Sequence, residues 1–72
     1  MPPLDTNELI KRFTYHAPKG DQAQRYEFIR TVAGELAEVL VGQTPASREQ
    51  SLAITALEES VFWANAAIAR NE

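Results

Sequence analysis

The stretch from Thr44 to Asn71, TPASREQSLAITALEESVFWANAAIARN, contains no glycine and no proline after Pro45. Nothing else in the chain runs so far without a residue that interrupts a helix. Alanine, leucine, glutamate, glutamine and arginine dominate it, so it is committed to one long helix, and the rest of the fold must be built against that helix. Two start signals compete. Thr44 can cap with Pro45 at the first helical position, where the missing N–H costs nothing. Alternatively Ser47 caps, with Gln50 completing an S-x-x-Q capping box. The first signal predicts a helix over 45–71.

Ala53, Leu57, Val61, Ala64 and Ile68 form one apolar stripe at helical spacing. A second stripe runs through Leu52, Ala56, Phe62 and Trp63, Ala66 and Ala67. Together they are wider than the single stripe of a helix with one buried side. A helix this apolar needs two partners, one in its own chain and one in another. The small residues of WANAAIA allow close approach of backbones.

The partner within the chain is a second helix over 21–41. Asp21 with Gln24 offers a capping box, and Gly42 a stop at the C′ position. Its expected core face is Phe28 or Ile29, Val32, Leu36 and Val39 or Leu40. Gly34 in mid-helix costs about 1 kcal/mol against alanine, and a close helix–helix contact there is one reason to keep it. The short link through Gln43, Thr44 and Pro45 makes the two helices antiparallel neighbours. Before them, Asp5 and Glu8 spell a further capping box, which predicts a short helix over 5–12. FTYHAPKG, residues 13–20, reads as a connector, with Gly20 permitting a turn. Residues 1–4 read as a frayed tail. The fold class is therefore all-α: a short helix followed by an antiparallel helical hairpin, one domain in all.

Such a chain of 72 residues buries a modest fraction of its surface and is marginal alone. It has no cysteine for a disulfide and no Cys/His cluster for a structural metal. Self-association is the remaining route to stability. No apolar run approaches the roughly 20 residues of a membrane span, and the start of the chain lacks the basic-then-apolar order of a signal peptide. A soluble, intracellular protein is the expectation.

The net charge is −3, unevenly spread. Lys11, Arg12, Lys19, Arg25 and Arg30 face only Asp21 and Glu27 within residues 11–30, while the remainder carries two basic and eight acidic side chains. An acidic body is a poor match for duplex nucleic acid, where many phosphates must be neutralised together. A locally basic segment suits a small anion.

The motifs of enzymatic chemistry are absent: no cysteine nucleophile, no G-x-S-x-G elbow, no H-E-x-x-H, no glycine-rich phosphate loop. His16 has no local Asp or Ser partner. Glu58 and Glu59 point about 100° apart on a helix and do not converge. The chain reads as a binder, not an enzyme, and calls for no cofactor or metal. Tyr15 is either a stacking platform for a base or an interface aromatic, and spacing leaves both open. Tyr26, inside a helix, favours the interface. Lys19, Arg25 and Arg30 suit phosphate oxygens, against surface ion pairing of Arg30 with Glu27 and of Arg25 with Asp21. Arg48, in the first turn of the long helix, is badly placed for the helix dipole, as a residue kept for an anion would be.

FTYH, the RYE-x-IR spacing, SREQSLA-x-T-x-LEE and WANAAIARN make residues 13–71 resemble a known family. It is the helical-hairpin domain of the bacteriophage sponge proteins that antagonise CBASS and Thoeris immunity. The resemblance implies a homohexamer that sequesters cyclic oligonucleotide messengers without cleaving them, in the cytoplasm of the infected bacterial host. It implies cyclic dinucleotides bound between subunits by Tyr15, His16, Lys19 and Arg30. It also implies cyclic trinucleotides bound on threefold axes by Arg48 and Thr31. Arg30 stands where the family pattern has lysine, and the chain is shorter than the best-known members. The competing expectation is a small oligomeric adaptor that docks its apolar faces on a protein partner.

Overall fold

The computed structural model describes residues 5–72, so the expected tail at residues 1–4 lies outside the described residues. Three helices and no strand occur among the described residues: α1 (Thr6–Phe13), α2 (Gln22–Gln43) and α3 (Arg48–Asn71). Each begins and ends for a local reason. Asp5 caps α1, its Oδ1 accepting from the Glu8 N–H at 2.7 Å. Glu8 does not complete the box; its carboxylate takes the Arg12 Nε–H at 3.0 Å. Gly20 is the only described residue with positive φ, at 57°, and makes the turn into α2.

Several boundaries differ from the sequence expectation. Asp21 precedes α2 but makes no capping bond, because its carboxylate accepts from Arg25 Nε one turn on, at 3.2 Å. Gly42 is not a helix stop: α2 runs through it to Gln43. What ends the helix is Thr44, extended at φ −131° and ψ 153°, as a residue before proline is forced to be. The long helix starts at Arg48 rather than Pro45. Of the two start signals Ser47 prevails, its hydroxyl accepting from the Gln50 N–H at 3.1 Å. Gln50 does not reach back to Ser47. Its side-chain amide instead donates to the carbonyls of Val41 at 3.2 Å and Thr44 at 3.1 Å, tying the start of α3 to the end of α2.

That clamp and its counterpart at the far end, where Arg25 and Gln22 of α2 meet Glu72, establish that α2 and α3 are antiparallel. The facing stripe on α3 is Ile54, Leu57, Val61, Ala64 and Ile68, which matches the first sequence stripe except that Ile54 replaces Ala53. On α2 the expected core face holds at Ile29 and Leu40, two of its stated alternatives, and fails at Val32 and Leu36 between them. Ile29, Ala33, Ala37 and Leu40 are half-buried, whereas Phe28, Val32, Leu36 and Val39 are exposed. Both faces have helical periodicity, and periodicity alone does not say which one takes the partner in the same chain.

No apolar residue among those described is buried; Gln22 alone falls in that class. The described chain measures 45 × 33 × 15 Å, and its thickness is little more than one helix diameter of about 10–12 Å. The radius of gyration is 15.6 Å, against about 11 Å for a compact domain of this length. Each long helix therefore has a side with nothing behind it. One such side is an apolar groove of about 340 Å³ between α2 and α3, bordered by Ala33, Gly34, Ala37, Leu57, Val61 and Phe62. A Cβ on Gly34 would meet nothing within 4 Å, so no contact inside the chain explains that glycine. No helix is long and apolar enough to cross a membrane among the described residues.

Candidate ligand cleft

Where the connector crosses the open end of the hairpin, it makes one wall of a shallow, open cleft of about 400 Å³. The connector contributes Thr14, Tyr15 and His16, and α1 contributes Arg12. Tyr26 and Arg30 enter from α2, one turn apart on the same face. Asn65, Ala66, Ala69 and Arg70 enter from α3, where the alanines leave room between the larger side chains. Three arginines and two tyrosines line the cleft, and no carboxylate does.

Local geometry positions the wall. The His16 ring is half-buried, and its Nε2 lies 2.9 Å from the Lys11 carbonyl. A carbonyl only accepts, so Nε2 carries the proton and donates, which fixes the connector to the end of α1. Tyr15, beside it, is 84 % exposed, so its ring face is free for stacking. At the start of α2 the Lys19 N–H donates to Gln22 Oε1 at 3.1 Å, and the Lys19 carbonyl accepts from the Gln22 N–H at 3.0 Å.

The two surface pairs considered for the basic segment behave differently. Arg25 does pair with Asp21, and it also clasps Glu72. These bonds push the Arg25 guanidinium above its ordinary range, the Glu72 hydrogen bond foremost. The same bond holds the Glu72 carboxyl below its ordinary value of 4.5. Arg30 makes no ion pair with Glu27 or with any other described residue. One arginine is thus committed to structure and the other is available.

The structure brings Tyr15, His16 and Arg30 together and leaves the other three candidates elsewhere. Lys19 is not part of the cleft wall; it lies near Glu72, whose carboxyl its charge helps to depress. Thr31 is on α2 just past Arg30, and Arg48 opens α3 at the opposite end of the hairpin. Helical rise separates those two by roughly 20 Å along the axis, so no single chain joins them. Sequence reasoning missed Arg12, Tyr26, Asn65 and Arg70 as members of the cleft. The signal that finds them is the antiparallel register: the Gln50 and Glu72 contacts set residue 30 level with about residue 65, and residue 70 level with about residue 25. Asn65 Oδ1 is buried without a donor among the described residues.

His, Asp, Glu and Cys nowhere gather in threes around a possible metal among the described residues. No curated protein and no solved structure gives a match to this chain. A family model does: the description Acb2/Tad1, hairpin domain, matches residues 5–69 and so spans all of α1 and α2 and nearly all of α3. With that span covered end to end, the chain belongs to the Acb2/Tad1 hairpin-domain family.

Proposed function

We propose that this protein is a phage anti-defence sponge that binds cyclic dinucleotides, holds them intact in the cytoplasm of the infected host, and so keeps an immune effector from being switched on. The observation that carries this reading is the family match over residues 5–69. The cleft is consistent with it. A cyclic dinucleotide offers flat bases and two phosphates; the exposed Tyr15 ring suits the first and the unpaired Arg30 fork suits the second. His16, with Nε2 donating to Lys11, is left with Nδ1 as a further polar contact. Binding without turnover is part of this reading and is supported by the family match.

The working form is a homo-oligomer, and the family resemblance favours a hexamer. A chain with no buried apolar residue among those described, exposed Phe28, Val32 and Phe62, and a groove at Gly34 needs a second copy of itself to complete a core. Assembly would also repeat each cleft around symmetry axes, and so supply paired or tripled cations for a ringed ligand. Lys19, Thr31 and Arg48 lie outside the cleft of one chain. Lys19 would meet the dinucleotide, and Arg48 with Thr31 a cyclic trinucleotide, only from neighbouring copies. Asn65 Oδ1, buried without a donor among the described residues, would accept from a ligand or a second copy, a bond to a buried acceptor being worth about 1–3 kcal/mol.

Incubation of the purified protein with cyclic di- and trinucleotides, followed by denaturation, tests this directly. Recovery of intact ligand is expected. Linear products would make it an enzyme. A stoichiometric protein partner retained in place of nucleotide would make it an adaptor instead.

A further inference from the structure

The cleft holds more positive charge than one phosphate contact uses. Arg30 comes from the middle of α2 and Arg70 from the last turn of α3, yet both line the same space. Neither has a carboxylate partner among the described residues. The third arginine, Arg12, is already engaged, its Nε donating to Glu8 at 3.0 Å. Two guanidinium groups lining one cleft without a carboxylate repel each other, and an anion between them would offset that repulsion and accept from their N–H donors.

We propose that Arg70 is a second ligand-binding cation of this cleft, meeting a phosphate of the bound cyclic dinucleotide alongside Arg30. Helical register places the two roughly 7 Å apart along the hairpin axis, at about 1.5 Å per residue. They therefore stand beside one another without converging on a single point, as two phosphates of one ring require. Ala66 and Ala69, on the same helix, leave the space between them open. Arg70 is half-buried, so part of its side chain is covered by packing. The inference rests on the sponge reading above and adds a residue to it.

Arg70 has one ordinary explanation: a cation in the last turn of a helix is favourable with the helix dipole. Lysine would serve that role equally well and would lack the fork. The test is therefore calorimetric titration of cyclic di-GMP and cyclic GMP–AMP into the wild-type protein, Arg70→Gln and Arg70→Lys, with helicity and sedimentation recorded for each. Arg70→Gln is expected to weaken binding about tenfold or more, the range of a lost charge-assisted hydrogen bond, with helix content and assembly unchanged. Arg70→Lys, which keeps the charge and the dipole interaction, is expected to lose at least about threefold, and it decides the matter if Arg70→Gln does not fold. Wild-type affinity in either folded variant overturns the proposal. Failure of the wild-type protein to bind either nucleotide overturns the sponge reading itself, and the two failures are thereby distinct.

Discussion

Arg25 and Glu72, 47 positions apart, close the open end of the hairpin: Arg25 Nη1 donates to Glu72 Oε2 at 2.9 Å while Nη2 donates to Oε1. Gln22, the one buried residue among those described, adds its amide to the same carboxylate and ties in the connector through the Lys19 N–H. The end of α3, the start of α2 and the connector that carries Tyr15 are thus joined through one acidic group.

That joint should respond to acid. The Glu72 carboxyl is held below its ordinary value of 4.5, chiefly by the Arg25 hydrogen bond. A carboxyl depressed in the folded state contributes stability that is present above its unfolded value and lost as pH falls through its folded value. Hydrogen exchange of amides in the last turns of α3 is expected to speed up as pH drops below about 4, after correction for intrinsic rates. Glu72→Gln is expected to show the faster exchange already at neutral pH, with no further change on acidification.

Ser47→Ala removes the cap that sets the start of α3 and is expected to cost about 1 kcal/mol, within the usual span of 0.5–2. Pro45→Ala leaves that cap in place and should fall within about 0.5 kcal/mol of wild type. Thermal melts of the two variants at equal concentration separate the start signals; equal losses would restore the one at Pro45.

Gly34→Ala separates the hairpin from its assembly. Nothing in the chain lies within 4 Å of the added methyl, and alanine gains about 1 kcal/mol of helix propensity over glycine. If a second copy packs in the groove, the methyl weakens that contact. The expected result is a more helical chain at low concentration that self-associates less readily in sedimentation velocity. Undiminished association would place the contact between copies elsewhere.

Tyr15→Ala is expected to weaken cyclic dinucleotide binding by about 1–3 kcal/mol, the worth of one base-stacking platform. Tyr15 is so exposed that the fold should not notice the change. Tyr15→Phe keeps the ring face and should retain most of the affinity in the same titration.

Arg48→Ala is expected to weaken cyclic trinucleotide binding and to spare dinucleotides, because Arg48 and the cleft lie at opposite ends of the hairpin. Parallel titrations of both ligand classes against both variants, Tyr15→Ala and Arg48→Ala, check the assignment. Loss of both ligands in each variant would mean one site rather than two.

The sequence by itself determined that the chain is helical and how many helices it forms, but not each boundary: α2 runs through Gly42, and α3 opens after Ser47 rather than at Pro45. Propensity, capping residues and Gly20 act over a few positions, so Asp5, Ser47 and the FTYHAPKG connector are legible without coordinates. It also brought Tyr15, His16 and Arg30 forward as chemistry-bearing side chains. Only the tertiary structure decided which apolar face of α2 meets α3, because Phe28 to Val39 and Ile29 to Leu40 share one period and differ only in what they pack against. It likewise decided which arginines are free. Asp21 stands four residues before Arg25 and Glu27 three before Arg30, both neighbour spacings on a helix, yet only Arg25 pairs, with Asp21 and across the hairpin with Glu72, while Arg30 and Arg70 are left in the cleft. Pairing between residues some forty positions apart depends on helix register, and register is set by packing of whole faces, which no local pattern encodes.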